Sequence, residues 1–127
     1  MPDTEDLTLL GREHRGPVDH VETFPAPDGC TRVVFTSDEV TSMCPVTGQP
    51  DISSVRIDYV PAERCIESKS LKLFLWGFRD QHVFAEALAV RIADEVWETA
   101  RPRSVDVVVT QHVRGGIVTE THSSHPR

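Results

Sequence analysis

The segment from His82 to Arg101 limits the fold more than any other part of the chain. Phe84, Leu88, Ile92 and Val96 recur there at every fourth position, the spacing that lines one face of an α-helix with side chains needing cover. Pro102 closes the segment, because a proline ring does not continue a helix. A helix with one apolar face requires a second layer, and the flanking sequence supplies strands. Downstream, Ser104 to Val113 and Ile117 to Ser123 are rich in β-branched residues and flank Arg114-Gly115-Gly116, whose paired glycines accept the positive φ angles of a hairpin turn. Upstream, Cys30 to Thr36 is a β-branched and aromatic run, and Asp51 to Val60 interleaves Ile52, Val55, Ile57 and Tyr59 with Ser54, Arg56 and Asp58. Pro61 ends that strand, and a short extended piece around Arg64 to Glu67 leads into Ser70 to Phe78, read as a helix ending near Gly77.

The predicted order is strand, strand, helix, helix, strand, strand, which fits an α+β class with an antiparallel four-stranded sheet and two helices between the strand pairs. Ser37 to Pro50 is expected to be a loop, since Pro45, Gly48 and Pro50 oppose a regular element across it. Residues 1–29, rich in Pro, Asp and Gly, read as an irregular arm; residues 30–123 form the single domain; residues 124–127 are expected to fray. A four-stranded sheet leaves two edges that must be blunted or paired, and neighbouring subunits can do this.

At 127 residues the chain buries enough surface for one core without disulfides or a structural metal. Thirteen basic against 20 acidic residues give a net charge of −7, a field that repels phosphate backbones and anionic lipid, so direct nucleic-acid binding is disfavoured. No run reaches the roughly 18 apolar residues of a membrane span, and the acidic start from Met1 to Asp6 lacks the features of a secretory signal. A cytoplasmic protein is expected. In such a reducing setting Cys30, Cys44 and Cys65, an odd set without a CxxC pair, are free thiols rather than a disulfide scaffold or zinc knuckle. His82, His112 and His122 show no zinc spacing, and His14, His20 and His125 fall in segments expected to be solvated.

Four places can carry chemistry. Cys44 lies in Cys44-Pro45-Val46-Thr47-Gly48-Gln49-Pro50, where prolines can hold a thiol at a fixed angle for addition to an electrophilic carbon; the plain alternative is a small buried hydrophobe. Asp51, seven positions on, either returns beside the thiol as a proton donor or acceptor or caps the turn after Pro50. Glu67-Ser68-Lys69-Ser70-Leu71-Lys72 sets ammonium and hydroxyl groups at a helix entrance, suited to a phosphorylated cofactor or simply to a solvated, capped helix start. Glu86 either receives the paired N–H donors of a guanine-like ring or is an exposed glutamate favouring the helix dipole.

These residues together resemble a known family. Glu67-Ser68-Lys69-Ser70-Leu71-Lys72-Leu73-Phe74, preceded by Cys44 to Asp51 and followed by Phe78-Arg79-Asp80 and Phe84-Ala85-Glu86, resembles the single-module NADPH-dependent 7-cyano-7-deazaguanine reductases of queuosine biosynthesis, over roughly residues 30 to 120. The resemblance implies a tunnelling fold (T-fold) whose subunits close an oligomeric barrel, with stacked pentamers as the expected form and active sites between subunits. It implies Cys44 as the nucleophile that forms a covalent thioimide with the nitrile and Asp51 as the proton donor. It further implies Ile66, Glu67, Ser68, Ala85 and Glu86 around the deazaguanine ring and Lys69, Ser70 and Lys72 at NADPH, while the spacing of the histidines leaves no metal expected. The product then serves tRNA modification. An amidine-forming relative using an amine in place of hydride, and a non-catalytic purine or pterin module, are the rival readings. Many members carry His where this chain has Ala85, and His82, expected on the same helix face, is the residue expected to substitute.

Overall fold

A computed structural model describes residues 7–127. Its elements are β1 (Thr23–Pro25), β2 (Val33–Met43), β3 (Pro50–Val60), β4 (Arg64–Ile66), α1 (Ser68–Trp76), a 3-10 turn (Gly77–Asp80), α2 (Ala85–Ala100), β5 (Ser104–Arg114) and β6 (Ile117–His125). The main sheet is antiparallel in the order β2-β3-β5-β6, and β1 pairs with β4 in a separate two-stranded ribbon. The expected α+β order is therefore present, with the helices between two strand pairs. Among the described residues no helix is long and apolar enough to cross a membrane.

Alternation along the central strands decides which sheet face the helices cover. Val55, Ile57 and Tyr59 of β3 and Val105, Val107 and Val109 of β5 are all buried, and they meet Leu88, Ala89, Ile92, Ala93 and Val96 of α2. Leu71, Phe74 and Leu75 of α1 and Phe78 complete the same core. Each fully buried Val, Ile or Leu contributes about 1.5–3 kcal/mol, well above the fractions of a kcal/mol at stake in strand propensity, so the covered face fixes the register.

Two register shifts then change which residues face the helices. In the β2–β3 pair the shift falls between Ser37 and Val40, and in the β5–β6 pair between Gln111 and Arg114. One extra residue in a strand reverses its in–out parity. Before the first bulge Val33 and Phe35 face inward, Phe35 stacking on Tyr59 at 6.3 Å; beyond it Val40 and Ser42 do, both buried.

Several expectations are corrected. The segment 37–50 is strand as far as Met43, because a bulge lets β2 continue through Ser37-Asp38-Glu39. Cys30 precedes β2, which starts at Val33, instead of lying within a strand. The arm is docked: Leu7, Leu9 and Val21 are buried, the Val21 amide donates to Glu95 Oε2 at 3.0 Å, and the Glu22 amide donates to Ser70 Oγ at 2.8 Å. Expectations for residues 1–6 lie outside the described residues. The C-terminus does not fray: His125 pairs with Val105, stacks on Trp97 at 5.1 Å and contacts Asp94 Oδ1 at 2.7 Å, while Arg127 donates to Asp94 and Ser123. His125 is accordingly shielded, not solvated. Helix α2 begins at Ala85, and Phe84, expected on its apolar face, is its exposed N-cap.

Candidate functional site

Asp51 owes its position to β3 alternation. It follows Tyr59, Ile57, Val55 and Ser53 on the inward face at the strand's far end, where it is 3% exposed. Cys44 lies just past β2 with the parity set by the bulge, so it too turns inward and is buried. Arg114 ends β5 after the second bulge, and its Nη1 donates to Asp51 Oδ1. Two bulges and one regular strand therefore bring a thiol, a carboxylate and a guanidinium to one end of the sheet.

The turn after Cys44 is built around the sulfur. Cys44 N–H donates to Gln49 O at 2.8 Å, Gly48 N–H donates back to Cys44 O at 2.9 Å, and Gly48 adopts φ +73°, a conformation that favours glycine. Thr47 Oγ1 accepts from Gln49 N–H at 3.2 Å, which leaves its own proton for the sulfur. The Thr47 hydroxyl and then the Thr47 and Val46 amides hold the Cys44 thiol down to a pKa of about 7; burial opposes them, and the Arg114 guanidinium adds the weakest of the lowering effects. A substantial thiolate fraction is therefore present at neutral pH, and a thiolate is the reactive form toward electrophilic carbon. By contrast, burial and the neighbouring Cys30 push Cys65 up, and Cys65 lies in β4 against Tyr59.

The Glu67–Lys72 segment lies at the opposite end. Ile66 N–H donates to Tyr59 Oη at 2.8 Å, and Tyr59 is eight residues along β3 from Asp51. At about 3.3 Å per strand residue that separation is roughly 25 Å. Glu67 is the N-cap of α1, its buried carboxylate accepting from the amides of Lys69 (2.6 Å) and Ser70 (3.2 Å). Lys69 Nζ donates to Leu9 O at 2.7 Å and to Arg12 O, so its charge is held by the arm. Ser70 is fully buried, its hydroxyl donating to Glu67 O at 2.8 Å. Lys72 is exposed; with Ser68 it borders a cleft of about 350 Å³ whose apolar wall includes Val40, Val55, Leu71 and Trp76. Ile66, Glu67 and Ser68 also border a second cleft, with Phe24, Cys65 and Leu10.

Glu86 stands exposed in the first turn of α2, beside buried Ala85. The expectation that His82 shares a helix face with Ala85 is corrected: His82 precedes the helix and forms a parallel bridge with Met43, which sets it beside the backbone leading into Cys44. The cause is Gln81 O and Val83 N–H, which bond Met43 N–H and O at 2.8 and 3.1 Å and hold residues 81–83 extended. Among the described residues no group of three His, Cys, Asp or Glu side chains is placed to hold a metal.

One protomer therefore joins Cys44 to Asp51 and places both near the 82–86 segment, but it does not join them to Ile66–Ser70. Arg114 and Thr47 escaped the sequence reading. Arg114 was visible only as a hairpin flank, and Thr47 only as a residue between prolines.

A family model described as "QueF-like protein" matches residues 50–127, more than half of the chain. The chain belongs to the QueF-like family. It is 47% identical over 115 residues to the NADPH-dependent 7-cyano-7-deazaguanine reductase of Anaeromyxobacter sp. (strain Fw109-5), covering 87% of this chain and 94% of the relative. The protein of the same name from Alkalilimnicola ehrlichii is 44% identical over 111 residues, covering 86% of each chain. The one from Frankia casuarinae is 40% identical over 121 residues, covering 95% of this chain and 97% of the relative. Among solved structures, the apo form of an archaeosine synthase QueF-Like superposes with a TM-score of 0.70 at 22% identity, covering 74% of this chain and 92% of that one, a likeness of fold.

Proposed function

We propose that this chain reduces 7-cyano-7-deazaguanine to 7-aminomethyl-7-deazaguanine at the expense of NADPH, a step of queuosine biosynthesis. The observation that carries the reading is a depressed-pKa cysteine at the same end and on the same inward face of the sheet as a buried aspartate, in a chain 40–47% identical to reductases of that name.

Cys44 acts as the nucleophile and Asp51 carries the proton. Asp51 takes the proton of the Cys44 thiol as Sγ bonds the nitrile carbon. One π bond of the nitrile opens, and its nitrogen takes that proton from Asp51, leaving a neutral thioimide on Cys44. The aspartate serves first as base and then as acid and ends as it began. Covalent addition divides a difficult reduction into easier ones. NADPH would supply one hydride per molecule, so two molecules bound in turn would carry the carbon to the amine. The chain fits such a cofactor through the cleft beside α1: Lys72 is an exposed ammonium at its rim, and Trp76 and Leu75 give an apolar wall for a ring. Lys69 and Ser70 serve that segment by holding its shape, since their polar groups bond the arm and the cap. Glu86 accepts the deazaguanine N–H groups, and Ile66, Glu67 and Ser68 border the ring beside it.

The roughly 25 Å between the two ends of β3 supports an assembly. A pocket holding both Cys44 and Glu67 forms when the Ile66–Ser68 segment of one copy meets the Cys44–Glu86 end of another. The exposed apolar residues Phe84, Val113, Ile117 and Val118 and the open edges β2 and β6 suit such contacts. We read the assembly as a homo-oligomeric T-fold barrel, stacked pentamers being its expected form.

Intact mass spectrometry after mixing protein with 7-cyano-7-deazaguanine tests the reading. An adduct equal to the mass of the nitrile, absent in Cys44→Ala and discharged by NADPH with loss of reduced-nicotinamide absorbance, is the expected outcome. A wild-type chain that forms no adduct and consumes no NADPH would sink it.

A further inference from the structure

Asp51 is 3% exposed, and its carboxylate pairs with the Arg114 guanidinium. Ser42 pairs with Asp51 across β2 and β3, and Cys44 lies two residues beyond Ser42 on the same inward face, so the guanidinium that holds Asp51 sits at the end of the sheet where the thiol turns in. That meeting depends on the bulge between Gln111 and Arg114: without the extra residue, Arg114 would project to the opposite sheet face. The outward set shows what that face holds, since His112, where the shift begins, contacts Ser54 at 3.4 Å.

We propose that Arg114 is a positioning residue that holds Asp51 and Cys44 in one arrangement, so that the proton passes between sulfur, carboxylate and nitrile nitrogen without a change of rotamer. The proposal rests on the thioimide reading. A guanidinium suits the task because it is planar and always charged, and its several donors serve two acceptors at fixed angles. The other charged and titratable groups around the turn are few. Residues 44–49 carry none besides the thiol, β3 contributes Asp51, and the segments packed against the end of β2 bring Arg79, Asp80, His82 and Glu86. Of the cations here, Arg114 is the one that pairs with Asp51. Arg114 is itself 41% exposed, so its loss leaves the core intact, although it strands a buried carboxylate.

The test separates positioning from a merely structural ion pair. Arg114→Met, Arg114→Lys and the double variant Arg114→Met/Asp51→Asn, which removes the buried charge together with its partner, are compared with wild type. Alkylation by iodoacetamide is read at the Cys44 peptide against pH, and nitrile adduct formation is read by intact mass. In Arg114→Met the alkylation midpoint rises from about 7 by up to about half a pH unit, less than loss of the Thr47 hydroxyl would cause. Adduct formation slows roughly 10–100-fold, with apparent nitrile affinity changed less than about threefold. Arg114→Lys recovers most of the midpoint and part of the rate, and the double variant keeps the raised midpoint even where its melting temperature returns to that of wild type. A wild-type midpoint in Arg114→Met, or in the double variant should the single one not fold, overturns the proposal. Failure of the wild-type chain to form the nitrile adduct overturns instead the reading beneath it, while the alkylation profile still reports whether Arg114 holds the thiol.

Discussion

The two ends of β3 are built under opposite demands. From Val55 to Tyr59 its inward residues are apolar, its partners β2 and β5 keep unbroken register, and the helices cover them completely. From Ser53 to Asp51 the inward residues are polar, both outer pairings of the sheet have slipped by a residue, and the neighbours are a thiol and a guanidinium. The regular end contributes stability by burying apolar area, whereas the bulged end gives up ladder regularity and places chemistry on a face that period-two alternation would reserve for the core. If the division holds, mutations at one end should move stability and leave the thiol alone, and mutations at the other should do the reverse.

The largest effect is expected at the regular end. Ile57→Ala deletes a side chain that is 1% exposed between β2, β5 and α2, and should lower unfolding free energy by about 2–5 kcal/mol in denaturant titration. The Cys44 alkylation midpoint should stay near 7 while the protein remains folded. A midpoint that drifts with stability would break the comparison, showing that the sulfur's surroundings depend on the whole core and not on the local turn.

This contrast also separates what was legible in the sequence from what was not. The regular end was legible because Leu88, Ile92 and Val96, Val55, Ile57 and Tyr59, and Gly115-Gly116 each carry a local signal that agrees with the final packing. The bulged end was not. Nothing in Ser37-Asp38-Glu39 announces a strand, and a bulge is set by the register of its partner, which lies outside the segment. Cys44 and Asp51 were picked out by residue type and family resemblance, but Arg114 became visible only when the second bulge turned it inward. His82 failed for a related reason: helix periodicity ran through it, while bonds from Met43 hold residues 81–83 extended. The docked arm shows the same limit, since Val21 and Glu22 are fixed by Glu95 and Ser70, far away in sequence.

A smaller effect is expected at the bulged end. Thr47 is the foremost cause of the depressed Cys44 pKa, through its hydroxyl and then its amide, and Thr47→Val removes the hydroxyl alone. Stabilisation of the thiolate lowers a thiol's pKa, so its loss raises the midpoint: thiolate that persists down to about pH 7 in wild type should disappear at a higher pH in the variant. An upward move of up to about one unit corresponds to up to about a tenfold slower alkylation below the midpoint, with melting temperature almost unchanged. An unchanged midpoint would shift the cause to the amides and Arg114, sharpening which donors matter.

The smallest effect concerns Glu67, at the regular end of β3 but within the segment that would reach a neighbour's Cys44. As the N-cap of α1 its carboxylate satisfies the amides of Lys69 and Ser70, and a cap of this kind is worth about 0.5–2 kcal/mol. Glu67→Ala should cost that much in stability. If Glu67 only caps the helix, kcat and KM measured well below the melting temperature stay as in wild type. If its carboxylate also reaches the ring bound against a neighbouring copy, KM for the nitrile rises while the Cys44 alkylation midpoint holds near 7. Both outcomes can come from one variant because the cap uses the carboxylate's acceptor capacity only in part: each oxygen has two lone pairs, and two amides do not fill four positions. A rise in KM without a shift in midpoint would therefore show that the two ends of β3, separate within one protomer, act on one substrate through the assembly.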